Sequence, residues 1–281
     1  MDKQNLIEML NRDIADEHAA IIRYLIHGYL EGEDTALGSK LLSRSREEMW
    51  HMHWLGMIIG KLGGEPDMVP APYPYDPSNR ASIFESYVKY EKNLIGHYNS
   101  EADKVEDPHI KRVLQREGWE SDIHARKFQR ILDKLTPKEA AGLPGAESEL
   151  PAEFIDRIQK LVENKYNQML HHLRNAWVFQ REGMTAWQLM DFSMTKMKQL
   201  AHLAEPVAEN GITPNFTIGG IKKSTSIGDA LKDAAENVRA SRERHLKLRQ
   251  DSETQKHAGM IINLDLTLKQ ERYEEEEIGE W

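Results

Sequence analysis

No cysteine occurs in this sequence. Disulfides, thiolate zinc sites, iron–sulfur clusters and a rubredoxin-type module are therefore excluded, and the absence fits a reducing compartment. The N-terminus leads into amphipathic sequence without the apolar core of a signal peptide. No stretch approaches the roughly 18 consecutive apolar residues of a membrane-spanning helix. We therefore expect a soluble, cytoplasmic protein with no membrane partner.

Basic residues are outnumbered by acidic ones. The 281 residues include 37 Lys and Arg against 46 Asp and Glu, which gives a net charge of -9. Nucleic acid is not an expected partner, because its backbone is bound by clustered positive charge and no basic run occurs here. With 40% apolar and 30% charged residues, the composition favours long amphipathic helices over an all-β fold.

Glycine and proline are concentrated at a few breaks, and between the breaks apolar residues recur at helical spacing. The predicted helices cover residues 5–30, 35–62, 81–105 and 108–135, then 152–180, 185–209, 226–249 and 253–277. This repeated layout predicts an all-α fold of two tandem four-helix bundles. The bundles would be residues 1–135 and 152–281, joined by a linker at 136–151. We expect no further helix after the fourth in either half.

Glu48 and His51 lie three positions apart in the predicted second helix, so both project from one face. A helix bundle binds two metal ions through Glu-x-x-His from each of two helices and one Glu from each of the other two. The spacing by itself is common by chance. It gains meaning only if the remaining helices of the same half supply partners.

The other three helices of the first half do supply partners. Glu17 lies on the apolar stripe of the first helix, where an acidic side chain is costly to bury unless it is paired or bound to a cation. Helix three offers Glu91, and helix four offers Glu117, Glu120 and His124 near one face. Four carboxylates would balance two divalent ions, and oxygen and imidazole ligands without sulfur suit iron or manganese.

The residues around these candidates resemble the ferritin-like superfamily, and bacterioferritin and rubrerythrin in particular. Glu17 is followed seven residues later by Tyr24 and then by His27, as in the first helix of bacterioferritin. Residues 48–51, Glu-Met-Trp-His, resemble its Glu-Met-x-His helix, and residues 64–66 resemble its Gly-x-Pro end. Tyr24 would then lie near the metals, either as a core residue with a satisfied hydroxyl or as a catalytic participant.

Helices three and four resemble those of rubrerythrins, through residues 90–91, 110–113 and 124–128. The resemblance covers residues 5–133 and implies a ferritin-like, up-down-down-up bundle with a long crossover. It further implies two iron ions, with manganese as the alternative metal. Glu48 and Glu120 would bridge the ions, Glu17 and Glu91 would be terminal ligands, and each ion would bind one imidazole. The implied ligand set is Glu17, Glu48, His51, Glu91, Glu120 and His124.

One position departs from the family pattern. The family places the fourth-helix Glu three residues before its His, and here Ser121 stands at that position. Glu120, four residues before His124, lies on the same face and is the preferred ligand. Glu117 is the alternative, in which case Glu120 would replace the histidine. Leu94 stands where rubrerythrins carry a second Glu, which favours the six-ligand set.

The implied function is ferroxidase-like or peroxide-reducing oxidoreductase chemistry. Iron, dioxygen or peroxide, and an electron donor that the sequence does not identify would be the partners. A non-catalytic helical scaffold or interaction protein and an iron storage protein are the alternatives. Closing a storage shell requires specific interfaces and, in bacterioferritin-like shells, an extra helix. We therefore expect a monomer or a small homo-oligomer.

Met49 raises the question of haem. It follows the second-helix Glu, where bacterioferritin has the methionine that ligates haem across a dimer interface. Met194 or Met197 would face it if the two halves paired like such a dimer. Methionine is also a frequent packing residue in helices. We favour packing, so haem is not an expected cofactor.

The second half contains no Glu-x-x-His. Residues 193–198 correspond to the Glu-x-x-His motif at Glu48 and His51. A lysine in this segment, such as Lys198, would repel a metal ion. Glu163 and Glu236 would be remnants of the first- and third-helix ligands. We predict a metal-free second half that replaces the partner of a homodimer.

Overall fold

The computed structural model describes residues 1–145, 148 and 150–281, and the secondary structure of this part is helical. Its α-helices are α1 (Lys3–Glu31), α2 (Ala36–Lys61), α3 (Arg80–Ala102), α4 (Pro108–Leu132), α5 (Pro137–Ala141), α6 (Ala152–Val178), α7 (Met184–Glu209), α8 (Ile227–Arg249) and α9 (Ala258–Ile278). Turns of 3-10 helix, Gln180–Glu182 and Thr254–Lys256, precede α7 and α9. The predicted all-α fold is confirmed. None of the described helices has the length and apolarity needed to cross a membrane.

Short polar side chains begin the helices of the first bundle. Asp2, Thr35, Asn79 and Asp107 each accept a hydrogen bond from a backbone amide in the first turn of α1, α2, α3 and α4. These caps satisfy amides that have no partner within the helix. At the other end of α1, Gly32 has a φ of 87°, which glycine adopts without strain. The chain can therefore reverse at once into α2.

The helices pack as two tandem four-helix bundles. In the first bundle α1 packs on α2 and α3 on α4, and in the second α6 packs on α7 and α8 on α9. The crossover from α2 to α3 follows α1, where the hydroxyls of Tyr73 and Tyr24 are 3.1 Å apart. It ends where Arg80 donates to both oxygens of Glu31 at 2.6 and 3.0 Å. α3 therefore begins at the C-terminal end of α1 and runs parallel to α2.

The linker contains a helix that the sequence did not predict. α5 begins with a capping box between Thr136 and Glu139 and has a proline in its first turn. Arg80 at the start of α3 donates its side chain to the Glu139 carbonyl at 2.7 Å and its backbone amide to the Gly142 carbonyl at 2.8 Å. The expectation that no helix follows the fourth was therefore wrong. One capped turn is stable here because it is docked on α3.

The two bundles pack against each other through α1 and α2 on one side and α6 and α7 on the other. Arg174 of α6 donates to both oxygens of Glu65 at 2.8 and 2.7 Å. His18 of α1 is hydrogen-bonded to Tyr166 of α6, and both side chains are buried. The halves thus pair along their first two helices within one chain.

The two bundles approach each other closely where α6 meets α2. A Cβ added at Gly60 would lie 2.1 Å from the Trp177 carbonyl oxygen, and one added at Gly56 would lie 2.4 Å from the Trp177 ring. Gly60→Ala should therefore lower the free energy of unfolding by about 1–3 kcal/mol, as overpacking does. Gly96 of α3 is the control, because it has open space around it. Gly96→Ala should raise stability by about 0.5–1 kcal/mol. Urea unfolding measures both, and equal stability of the two variants would contradict the packing argument.

Candidate metal centre

Three predicted ligands from the first two helices meet in the core of the first bundle. Glu17, Glu48 and His51 are at most 2% exposed. His51 Nδ1 lies 3.3 Å from Glu17 Oε2 and 2.9 Å from Glu48 Oε2. One ligand atom from each of the three residues lies within 4.8 Å of the other two, so together they could hold an ion. These residues are called cluster A.

Cluster B consists of Glu48, Glu91 and His124, whose ligand atoms also lie within 4.8 Å of one another. His124 Nδ1 is 2.7 Å from Glu48 Oε1 and 3.7 Å from Glu91 Oε1. The rings of His51 and His124 are stacked, with centroids 6.0 Å apart. Glu48 directs Oε2 to cluster A and Oε1 to cluster B, so it is shared between them.

Several buried polar atoms around the two clusters have no hydrogen-bond partner among the described residues. They are Glu48 Oε1, Glu91 Oε2, His124 Nδ1 and both carboxylate oxygens of Glu117. His124 Nδ1 is close to Glu48 but is not aligned for a hydrogen bond. Leaving each such group unpaired costs about 1–3 kcal/mol, and more if it is charged. Bound cations would satisfy them together, and carboxylates with imidazoles suit first-row metal ions.

Each imidazole is held on its other edge by a further carboxylate. His51 Nε2 lies 2.6 Å from Glu120 Oε2, and His124 Nε2 lies 2.6 Å from Glu47 Oε2. Because Nδ1 and Nε2 are on opposite edges of the ring, Glu120 lies outside cluster A. Carboxylates in this position orient imidazoles that bind metals. The sequence analysis missed Glu47, since residues adjacent in sequence do not share a helix face.

Glu117 is the innermost carboxylate of α4. It is fully buried, whereas the side chain of Glu120 keeps 18% of its surface exposed. Burial raises the pKa of Glu117 well above its usual range, His51 opposes that rise, and the carboxylate of Glu17 adds to it. Its carboxyl group therefore lies close enough to His51 and Glu17 of cluster A to interact with them electrostatically. The structure brings both α4 carboxylates to His51, with Glu117 on the inside.

Two buried tyrosines donate to the outer carboxylates of the clusters. Tyr24 donates to Glu91 Oε1 at 2.6 Å, and Tyr98 donates to Glu17. Burial, followed by the charge of Glu91, raises the pKa of Tyr24 well above its usual range, so it stays a phenol. The Tyr24 hydroxyl is thus satisfied and fixes the position of Glu91.

Met49, the candidate haem ligand, is half-buried and packs against the hydrophobic core. Met197 of α7 packs in the same way, while Met194 is 46% exposed. Met49 and Met197 therefore contact the core as packing residues do.

Each bundle contains an equivalent buried hydrogen bond, and these two bonds show which residues of the bundles correspond. Ser45 of α2 donates to the Ile21 carbonyl at 3.1 Å, and Ser193 of α7 donates to the Met169 carbonyl at 3.2 Å. In both pairs the partners are 24 positions apart. This common register identifies which residues of the second bundle correspond to those of clusters A and B.

Lysines occupy two of the corresponding positions. Glu17 corresponds to Lys165 and Glu48 to Lys196, and both lysines are fully buried. Lys165 Nζ lies 2.5 Å from Glu271 Oε1, and Lys196 Nζ lies 2.6 Å from Glu274 Oε2. Ammonium groups therefore stand where the first bundle has carboxylates. This charge pattern disfavours metal ions in the second bundle.

The residues of the second half that were predicted to correspond to the metal ligands are different ones. Lys198, the lysine expected to repel a metal ion, is exposed, and the buried lysine of α7 is Lys196. Glu236 is also exposed, and Glu163 is half-buried and accepts a hydrogen bond from Asn215 at 3.0 Å. The interpretation of Glu163 and Glu236 as ligand remnants was wrong. Helical periodicity gives the faces of a helix but not the register between the two halves.

In the metal-free protein, Glu17 and His51 should contribute less stability as the pH rises from 5 to 7. Burial raises the pKa of Glu17 from 4.5 to about 7. Burial disfavours ionised His51, but the carboxylates of Glu17 and Glu120 outweigh it and raise its pKa well above the usual range. Both groups bind more protons in the folded chain than in the unfolded one, so stability present at low pH is lost as pH rises.

Melting temperatures of the chelator-treated and the Zn²⁺-loaded chain at pH 5 and pH 7 measure this effect. Buried histidines elsewhere, such as His18 and His172, have lowered pKa values and act in the opposite direction, so the two forms are compared at each pH. Zn²⁺ should stabilise the chain more at pH 7 than at pH 5, because bound metal replaces the protons. A stabilisation by Zn²⁺ that is no greater at pH 7 than at pH 5 would contradict the pKa assignments.

Comparisons with known proteins address the first bundle. No curated protein matches the chain. A family model, described as Ferritin-like domain, matches residues 7–136. This segment contains most of α1, all of α2 to α4, the crossover and all residues of clusters A and B. Residues 7–136 are therefore a ferritin-like domain.

Proposed function

We propose that the first bundle holds two iron ions, one in cluster A and one in cluster B, and is an oxidoreductase. The observation that carries this proposal is that Glu48 offers one oxygen to each of two buried clusters with unpartnered polar atoms. When bound, two neighbouring Fe(II) ions supply two electrons to one molecule of dioxygen or peroxide. The activity is ferroxidase-like or peroxide-reducing, and manganese fits the same donor set.

The side chains divide into those that hold ions and those that orient them. Glu17 and His51 would hold one ion, Glu91 and His124 would hold the other, and Glu48 would be shared. Glu117 supplies the fourth inner carboxylate, so four negative charges face two divalent ions. Glu120 would then orient His51, because its carboxylate bonds the outer edge of that ring.

Tyr24 has a positioning role in this proposal. Its hydroxyl donates to Glu91 and contacts the Tyr73 hydroxyl, so the phenolic proton already has an acceptor. The surrounding rings of Tyr87 and Phe128, each with its centroid 5.0–5.3 Å from a neighbouring ring, keep water away from that carboxylate. Loss of the Tyr24 hydroxyl should therefore alter the geometry at Glu91 more than the metal content.

Aerobic addition of Fe(II) to the metal-free protein tests the function. The wild-type chain should generate ferric absorbance several times faster than buffer alone, with repeated turnover when a reductant is supplied. Glu48→Gln should react no faster than buffer. The matched control is Lys198→Gln, an exposed change in the second bundle, which should behave like the wild type. A wild-type rate equal to that in buffer would favour the scaffold function.

The proposed enzyme works as a monomer or a small homo-oligomer without storing mineral. The α1–α2 face that ferritin-like bundles commonly use for pairing is covered by α6 and α7 of the same chain. Light scattering after aerobic loading with excess Fe(II) tests this. We expect an unchanged particle size, and a soluble shell of many chains filled with mineral would contradict it.

A further inference from the structure

A second group of metal-type side chains lies in the first bundle, outside clusters A and B. It consists of Asp13 on α1 with His97 and Glu101 on α3, and their ligand atoms lie within 4.8 Å of one another. His97 Nε2 is 2.8 Å from Asp13 Oδ1 and 3.5 Å from Glu101 Oε2. Asp13 is 0% exposed and Glu101 is 4% exposed, whereas the side chain of His97 retains 36% of its surface. This group is called cluster C.

Cluster C has more negative charge than its own residues balance. Two carboxylates face one imidazole, and among the described residues Asp13 Oδ2 and Glu101 Oε2 have no hydrogen-bond partner. Burying a carboxylate oxygen without a partner is costly, and a pair of carboxylates repel each other unless a proton or a cation lies between them. The unpartnered oxygens belong to side chains that are more than nine-tenths buried. A shared proton would satisfy them in the metal-free chain, and a bound cation would satisfy them in its place.

Cluster C lies beside the proposed dinuclear centre. Asp13 precedes Glu17 by one helical turn on the same face of α1. Tyr98, the residue after His97, donates to Glu17. The charges of Asp13 and Glu17 both act on the buried Glu117. The partly exposed His97 thus lies between solvent and a row of buried carboxylates that continues to cluster A.

We propose that cluster C is a third cation site, which takes a divalent first-row transition ion and holds it between solvent and cluster A. Mixed oxygen and imidazole ligands favour such ions over Mg²⁺ and Ca²⁺, which prefer oxygen alone. Three ligands from a partly exposed site bind more weakly than the buried, carboxylate-rich clusters A and B. The site should therefore fill last and exchange readily. A role in supplying ions to cluster A rests on the proposed function, but the ability of cluster C to bind an ion does not.

Zn²⁺ binding to the full-length metal-free chain tests the site without any redox chemistry. The wild type should bind two Zn²⁺ tightly and a third at least tenfold more weakly. His97→Ala/Glu101→Gln should lose only the third ion. The matched control, Glu106→Gln/His109→Ala, changes an exposed acid and an exposed histidine at the same end of the bundle. It should still bind three ions.

Glu48→Ala separates this inference from the proposed function. The variant should lose the two tight ions and keep the weak one, and tight Zn²⁺ unaffected by Glu48→Ala would overturn the dinuclear centre alone. Anomalous diffraction at the zinc edge from wild-type crystals needs no variant to fold. A peak within ligand distance of Asp13 and His97 supports cluster C. The absence of an anomalous peak there at saturating Zn²⁺ would overturn it. A third ion that still binds to His97→Ala/Glu101→Gln would overturn it as well.

Discussion

Glu48→Ala should abolish tight binding of both ions in the first bundle. Glu48 is the residue common to clusters A and B, with one oxygen in each. Even partners that only orient a metal ligand change affinity by about 10–100-fold, so the loss of a shared ligand should exceed that. Titration of the metal-free chain with Zn²⁺, followed by calorimetry and metal analysis, measures the change.

Two further variants make the Glu48 prediction sharper. Glu91→Ala and Glu17→Ala each alter one cluster only, so each should weaken one tight ion much more than the other. Lys198→Ala, on the exposed face of α7, is the control and should keep both ions. A Glu48→Ala protein that retains one tight ion would show that the clusters are independent and that Glu48 is not shared.

Lys196→Met should strongly destabilise the second bundle. Lys196 is fully buried and its ammonium group lies 2.6 Å from Glu274, which is 2% exposed. Removing one partner of a buried ion pair leaves the other charge unpaired and costs about 3–5 kcal/mol. Urea unfolding of the metal-free protein measures the loss. The exposed substitution Lys198→Met is the control and should change stability by less than about 0.5 kcal/mol.

The double variant Lys196→Met/Glu274→Met tests the electrostatic cause. Replacing both partners of a buried ion pair by apolar residues is often neutral or stabilising, so the double variant should regain most of the lost stability. Zn²⁺ binding in the first bundle should be unchanged in every variant. A double variant as unstable as Lys196→Met would mean that packing around α7, and not the unpaired Glu274, causes the loss.

The sequence predicted the helical layout well, because it depends on local signals. Asp2, Thr35, Asn79 and Asp107 mark helix starts by capping, and the apolar spacing marks the buried faces. α5 was missed because a single capped turn has no periodicity. Its stability comes from contacts with Arg80, which is more than 50 positions away from Thr136 in the sequence.

The candidate site was predictable only in part, for geometric reasons. Spacing brought Glu48 and His51 to one face, and the structure places both in the core. On α4, each step rotates a side chain by about 100°. Ser121 therefore faces inward at 2% exposure, while Glu120 one step earlier turns to the outer edge of His51. The different positions of Glu117 and Glu120 relative to His51 follow from this rotation, which the spacing to His124 alone does not give.

Ion pairs between helices that are distant in sequence could not be predicted from the sequence. The ion pairs of Lys165 and Lys196 join residues 106 and 78 positions apart. Only part of cluster C could be predicted from the sequence. His97 and Glu101 have helical spacing, but Asp13 lies 84 positions from His97. Periodicity identifies one face at a time. The packing of α1 on α3 and of α6 and α7 on α9 decides which faces meet.

Anomalous diffraction at the iron edge, from crystals loaded anaerobically with Fe(II), tests the central claim most directly. The account predicts two adjacent strong peaks in the first bundle. One should lie among Glu17, Glu48 and His51, and the other among Glu48, Glu91 and His124, with any weaker peak at cluster C. Around Lys165 and Lys196 no peak is expected. Strong peaks in the second bundle, or none at clusters A and B at saturating Fe(II), would contradict the account.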